Sequence, residues 1–267
     1  MPEALDVVIS VFDLIKGIFI DEEIRLGYAA VYISNIITDE FSNYALAYSF
    51  ESQTKELVHE IEKTLEEKHR KPAIYITPAT LPTNLGDILV NNFGYSKSWT
   101  DAWMTFQNNA VLPDWEKTKE IVHIGDNPKL ISMFGDVIRK AYSGPKTPEN
   151  PYGGIPMDSF IEATRAALSN PSLINKFEGY LAISDGKPVA SSLLIHDDQT
   201  GYVCGVASVP EVRGKGFGKL VSQYAIKRSI HIGCKNIWLA TERDSKNEEF
   251  YKRIGFQTEF VCTCYVK

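Results

Sequence analysis

Apolar positions in the second half of the chain switch period repeatedly. Leu130, Ile131, Phe134, Val137, Ile138 and Ala141 recur at three- and four-residue intervals and predict a helix. Residues 142–156 then carry Pro145, Pro148, Pro151 and Pro156 beside Gly144, Gly153 and Gly154, too many breakers for helix or strand. A second helix is expected over residues 157–169. Strands follow over 180–183 and 189–195, with a hairpin turn at 198–201 and a third strand over 202–209. Residues 218–232 read as a helix stopped by Gly233, 237–240 as a short buried strand, 245–254 as a helix and 257–266 as a last strand.

The first half echoes this order. Residues 55–58 (Lys-Glu-Leu-Val) resemble 218–221 (Gly-Lys-Leu-Val), and 73–76 (Ala-Ile-Tyr-Ile) resemble 236–239 (Asn-Ile-Trp-Leu), both at an offset of 163. Phe93-Gly94-Tyr95 resembles Ile254-Gly255-Phe256 at 161. Three matches in order suggest a duplicated unit. Leu57, Val58, Ile61 and Leu65 form a core stripe, with Glu62, Lys63, Glu66, Glu67 and Lys68 as its solvated face. Residues 4–20 are apolar but carry Asp6, Asp13 and Lys16, so they suit an amphipathic helix rather than a leader or a membrane span.

Charge separates the halves. Residues 1–112 carry 8 basic and 16 acidic side chains, against 20 and 18 in residues 113–267. The polar stretch 107–113, ending in Pro113, suits a linker, and a polyanion meets less repulsion in the second half. The net charge of −6 argues against a nucleic-acid binder. Four cysteines in 267 residues suggest reduced thiols and a cytoplasmic address.

The stretch with the most chemistry runs from Ser208 to Leu220. A strand ends near Pro210, a turn holding Gly214, Gly216 and Gly218 follows, and a helix begins at once. Such a turn brings backbone N–H groups to a helix N-terminus, where they and the helix dipole favour an anion. Arg213, Lys215 and Lys219 add positive charge. Leu220 after Gly218-Lys219 offers no hydroxyl for a nucleotide-triphosphate loop, and the G-x-G-x-G spacing is not the dinucleotide fingerprint. The pattern that fits is [QR]-x-x-G-x-[GA], read as Arg213-x-x-Gly216-x-Gly218. It resembles the coenzyme A pyrophosphate loop of the GNAT acyltransferase superfamily. Downstream, residues 247–256 resemble that family's helix ending in [LF]-Y-x-x-[LIV]-G-F, with Tyr251 as its tyrosine.

The resemblance covers about residues 115–267 and implies an α/β fold of two tandem GNAT-like domains. Each would be a mixed, mostly antiparallel sheet flanked by helices: a degenerate copy over 1–112 and a catalytic acetyltransferase over 113–267. It implies acetyl-coenzyme A as co-substrate. Backbone groups of Val206, Ala207 and Ser208 would meet the acetyl and pantetheine moieties. Arg213, Gly214, Lys215, Gly216, Phe217, Gly218 and Lys219 would hold the pyrophosphate, and Tyr251 would protonate the departing thiolate. The acceptor expected is a primary amine of a small molecule or a peptide N-terminus, with no metal, nucleic acid or membrane partner. Where the family has an asparagine seven positions before the tyrosine, Asp244 stands, and Asn247 one turn on is the substitute cofactor contact. Ser245 and Glu248 in the same stretch also read as a capping box.

The general base is not evident. Tyr202 and Cys204 occupy the strand positions used by some relatives, and neither is a good base at pH 7; Glu242 is a candidate end for a water-relayed path. The first half lacks a glycine in residues 50–56 and has Val90 in place of Tyr251, which disfavours two acyl sites acting in sequence. The alternative to an enzyme is a module that binds acyl-coenzyme A without turnover. Residues 142–156, with Tyr142 and Tyr152, are expected to rim the acceptor side. His196-Asp197-Asp198 precedes a turn and is a weak metal candidate, and Cys262 and Cys264 share one strand face and suit packing.

Overall fold

In the computed structural model the described residues are 3–50, 53–107, 121–145, 147 and 153–267. The chain forms two compact units, Met1–Trp103 with Thr241–Arg243 and Thr258–Lys267, and Met104–Ala240 with Asp244–Gln257. The expected linker at 107–113 lies outside the described residues apart from Gln107, as do Tyr152 and most of the proline-rich loop.

The first unit holds helix α1 (Ala4–Ile15), strands β1 (Glu22–Arg25), β2 (Ala29–Ile33) and β3 (Tyr44–Ser49), helix α2 (Thr54–Glu67), strand β4 (Ala73–Leu81), helix α3 (Leu85–Phe93) and most of strand β5 (Ser96–Phe106). Its sheet order is β1-β2-β3-β4-β11-β5, where β11 (Phe256–Val266) comes from the far end of the sequence. β11 runs antiparallel to β4, pairing Thr263 with Ile76 and Val266 with Ala73. The division expected at residue 112 therefore does not describe the compact units, because Thr258–Lys267 is grouped with the first. Val31, Ile33, Phe50, Val58, Ile61 and Leu89 form one apolar cluster in this unit, as the α2 stripe predicts. Glu62, expected on the solvated face, is instead buried. It accepts from Lys267 Nζ at 2.8 Å, a partner about 200 positions away that local spacing does not reveal.

The second unit holds strand β6 (Ile121–His123), helices α4 (Pro128–Tyr142) and α5 (Asp158–Leu168), strands β7 (Phe177–Ser184), β8 (Lys187–His196) and β9 (Thr200–Ser208), helix α6 (Phe217–Ile232), strand β10 (Asn236–Glu242) and helix α7 (Lys246–Arg253). Its order is β10-β9-β8-β7-β6, antiparallel except for the parallel β9–β10 pair. Asn127 caps α4 by accepting from the Lys129 and Leu130 N–H groups, and Pro128 occupies the first turn, where no N–H is missed. Gly233 ends α6 in the left-handed region and donates to Ser229 and Ile230 carbonyls.

Under α6 lies a buried charge network. Glu178 on β7 accepts from Arg228 Nη2 at 2.8 Å and Nε at 3.0 Å, and from the Tyr180 hydroxyl, with His196 Nε2 3.3 Å away. His196 Nε2 is buried facing Glu178 without an aligned hydrogen bond, and Asp197 Oδ1 accepts from the N–H groups of Gln199 and Thr200 to form the turn before β9. Among the described residues no three metal-ligating side chains gather, and no helix is long and apolar enough to cross a membrane.

Candidate active site

The second unit opens where β9 and β10 part. Their parallel register pairs Thr200 with Asn236 through Tyr202 with Trp238, and the strands then continue to Ser208 and Glu242. Beyond Tyr202 and Trp238 no pairing joins β9 to β10 among the described residues, so the facing backbone groups of β9 are not taken up by a ladder with β10 there. On its other edge β9 stays paired with β8, but the register shifts between Ser191/Ala207 and Leu193/Cys204. The extra residue is accommodated at Gly205, in the left-handed region at φ +57, and Ser191 Oγ donates to its carbonyl at 3.1 Å. Val206, Ala207 and Ser208 lie between this bulge and the end of the strand.

A 3₁₀ turn over Pro210–Val212 leads from β9 into the glycine loop. Gly216 caps α6 at φ +91, a conformation costly for any residue with a side chain, and the first-turn N–H groups receive no side-chain acceptor. No acid stands in that first turn. Gly214, Lys215, Gly216 and Lys219 are exposed and Phe217 and Gly218 half-buried. A Cβ on Gly218 would lie 3.1 Å from Ser208 Oγ and 3.9 Å from the Phe250 ring, so this glycine lets α6 seat closely between β9 and α7. Arg213 donates through Nη2 to the Ala141 carbonyl at 2.6 Å, tying the loop to the end of α4.

α7 begins with the capping box expected from sequence. Ser245 Oγ accepts from the Glu248 N–H at 3.1 Å, and Glu248 Oε2 accepts from the Asp244 N–H at 2.7 Å. The buried Glu248 also pairs with Lys252 Nζ at 2.8 Å. Asp244, at φ +58, thus serves the helix start through its backbone. Asn247 is half-buried in the first turn of α7. Glu248→Ala removes a cap and a buried acceptor and is expected to cost about 1–3 kcal/mol in urea unfolding. An unchanged midpoint would show that the box is dispensable.

The Tyr251 ring is half-buried and meets Phe250 and Phe256 edge-on, at centroid distances of 5.0 and 5.9 Å. Packing on two sides restricts the ring and leaves it partly open. Tyr142 ends α4, where its carbonyl accepts from Gly154 N–H and closes the neck of the 143–153 loop. Burial pushes its phenol up, the Cys204 thiol adds to the rise and Arg213 opposes it. Burial also pushes the Cys204 thiol up to about 12, which removes it as a base at neutral pH. Glu242, half-buried, ends β10 and is grouped with the first unit.

Residues 145–256 match the Acetyltransferase (GNAT) family. This part of the chain resembles a GNAT domain. No curated protein matches the sequence. Among solved structures, a GCN5-related N-acetyltransferase from Kribbella flavida superposes with a TM-score of 0.70 at 16% identity, covering 99% of this chain and 95% of that one. A functionally unknown conserved protein from Staphylococcus epidermidis gives 0.66 at 14%, covering 95% and 96%. A tandem GNAT protein from the clavulanic acid biosynthesis pathway gives 0.55 at 11%, covering 90% and 78%. At these identities the likeness is one of fold, and it extends over both units.

The first unit repeats the order strand–helix–strand–helix–strand of the GNAT domain, with β3 parallel to β4. Here, however, the strands rejoin. Ala47 pairs with Ile76, and after a shift Ser49 pairs with Leu81. The Phe50 N–H donates to the Leu81 carbonyl at 2.6 Å and Thr80 Oγ1 to the Ala47 carbonyl at 2.7 Å. The gap that stays open between β9 and β10 is stitched shut. At the start of α2, Gln53 takes the cap position and Glu56 stands in the first turn, which disfavours an anion. Val90, in place of Tyr251, lies exposed on α3.

Proposed function

We propose that the chain transfers the acetyl group of acetyl-coenzyme A to a primary amine of a small molecule or peptide. The observation that carries this reading is the α6 N-terminus, capped by Gly216 without a side-chain acceptor and set beside the unpaired edges of β9 and β10. Bound there, acetyl-coenzyme A supplies an activated thioester. The N–H groups of Gly214 and of Gly216 to Lys219, helped by the Lys215 and Lys219 side chains, hold the pyrophosphate at the helix N-terminus, while the Arg213 and Lys215 N–H groups shape the loop by donating to the Pro210 and Val212 carbonyls. Backbone groups of Val206, Ala207 and Ser208 hold the pantetheine amides and donate to the thioester oxygen as negative charge develops on it. Asn247, near the start of α7, is a further coenzyme contact. The neutral amine nitrogen adds directly to the acetyl carbon to give a tetrahedral oxyanion, which collapses with cleavage of the carbon–sulfur bond, and the proton shed by the nitrogen passes to solvent water. The Tyr251 hydroxyl gives its proton to the departing sulfur, a role open to a phenol protonated at neutral pH. The residues 1–112 are read as a degenerate copy without a coenzyme site of its own. Four free thiols favour a cytoplasmic setting.

The test is thiol release from acetyl-coenzyme A with amino acids, polyamines, aryl amines and short peptides as acceptors. At least one amine is expected to support turnover. Tyr251→Phe should lower kcat about 10²-fold and leave coenzyme affinity unchanged. Tight binding without release for any amine would mark a sensor instead.

A further inference from the structure

The first unit contains a carboxylate among aromatic rings, which the coenzyme-binding reading does not use. Asp101 on β5 sits among aromatic rings that run from core to surface. Trp103 is buried, and its Nε1 donates to the Tyr75 hydroxyl at 2.8 Å. That hydroxyl donates to Asp101 Oδ2 at 2.7 Å, and Trp99 Nε1 donates to the same oxygen at 3.1 Å. Tyr44 lies against Tyr75 at 5.2 Å and Trp99 at 6.3 Å between centroids, and Phe41 covers Trp99 at 4.6 Å. Tyr75 is 2% exposed, whereas Tyr44, Trp99 and Asp101 are partly open and Phe41 is 46% exposed.

Two features set this carboxylate apart from a structural one. Both ring donors go to Oδ2, so Oδ1 has no hydrogen-bond partner among the described residues, and no Lys or Arg pairs with Asp101. An ionised carboxylate in such surroundings is normally paired or driven neutral. Burial does push the Asp101 carboxyl up, to about 6, against the bonds from Tyr75 and Trp99, and the charge of Glu242 adds to the rise. The group is thus half-satisfied by its hydrogen bonds and feels the charge of a second acid. The partly open rings of Tyr44 and Trp99 and the exposed Phe41 add apolar surface next to the carboxylate.

We propose that this aromatic corner of the first unit binds an organic ammonium ion, its N–H donating to Asp101 Oδ1 and its carbon body lying against Trp99, Tyr44 and Phe41. The cation would supply the charge and the hydrogen bond that Asp101 lacks. A neutral alcohol of the same shape could donate a hydrogen bond but would leave the carboxylate's charge unpaired. An anion would be repelled by Asp101 and Glu242. Binding here requires neither coenzyme nor acyl transfer, so the proposal goes beyond the transferase reading.

The probe is 2-phenylethylammonium, titrated into the full chain by calorimetry without coenzyme, with 2-phenylethanol as its neutral counterpart. The ammonium is expected to bind at least about tenfold tighter than the alcohol, and Asp101→Asn to remove that preference. Because Asp101 also accepts two buried bonds, Phe41→Ala at the rim provides a variant without that risk, expected to weaken the ammonium several-fold. Gly216→Asp, aimed at the coenzyme loop, should bind the ammonium as the unaltered chain does, which separates this site from the acetyl-transfer reading. Equal affinity for ammonium and alcohol, or no measurable ammonium binding, would overturn the proposal. So would full ammonium affinity in both Asp101→Asn and Phe41→Ala.

Discussion

Gly216→Asp is expected to lower acetyl-coenzyme A affinity by more than about 10²-fold while the circular dichroism spectrum stays unchanged. A Cβ at Gly216 meets nothing within 4 Å, so the substitution creates no clash. The backbone at φ +91 charges any L-residue about 1–2 kcal/mol of strain. The larger effect is electrostatic. A carboxylate would stand at the helix N-terminus where the pyrophosphate is to sit, and two like charges about 4 Å apart repel by about 4 kcal/mol at a surface-like dielectric. Gly216→Ala carries the strain without the charge and should lose only about tenfold. Calorimetry on the unaltered chain should give one coenzyme per chain, since the β3–β4 gap is closed and α2 lacks the glycine cap. Two comparable sites would overturn that reading of the first unit.

Arg228→Met should lower stability by about 3 kcal/mol at pH 7, measured by urea unfolding. Glu178 has an 8% exposed side chain and would lose its bidentate partner, and stranding a buried charge typically costs about 3–5 kcal/mol. The lower end applies because Arg228 itself is 35% exposed. The pH dependence follows from the carboxyl. Burial alone would raise it, but His196 and the bonds from Arg228 and Tyr180 outweigh burial and hold it well below the ordinary 4.5. Its contribution is therefore present above pH 4.5 and lost as pH falls toward the folded value. The gap between parent and variant should narrow in acid. A constant gap between pH 7 and pH 3 would show that Arg228 acts through packing alone.

What was legible in the sequence was whatever repeats at short range. The α4 stripe from Ile131 to Ala141, the Gly233 stop and the Ser245–Glu248 box are each set by residues a few positions apart, and all three stand in the structure. The glycine loop was legible for the same reason. Contacts made across long stretches of chain were not. Thr80 reads as an ordinary strand residue until β3 lies beside it and Ala47 takes its hydroxyl. Arg213 reads as an anion ligand, yet its guanidinium reaches back to Ala141, 72 positions earlier. The apolar run at residues 4–20 suggested one helix, but α1 ends at Ile15. Gly17 then turns at φ +77, and Ile18 and Ile20 are buried without helical geometry. Asp101 drew no notice because a single acid in an aromatic strand carries no pattern. Its meaning comes from Tyr75 and Trp99, which only the fold brings to it.

The placement of β11 has a consequence for how the chain is made. Its position between β4 and β5 is a space that residues emerging early from the ribosome cannot fill. β5 ends at Phe106 and the segment grouped with the first unit starts at Thr258, so roughly 150 residues must be synthesised in between, about 8–30 s at ~5–20 residues per second. For that interval β4 presents an unpaired edge to the cell, and the nascent first unit is the stage most exposed to wrong pairing or to a chaperone's grip. The first unit thus stays incomplete until the second has been translated.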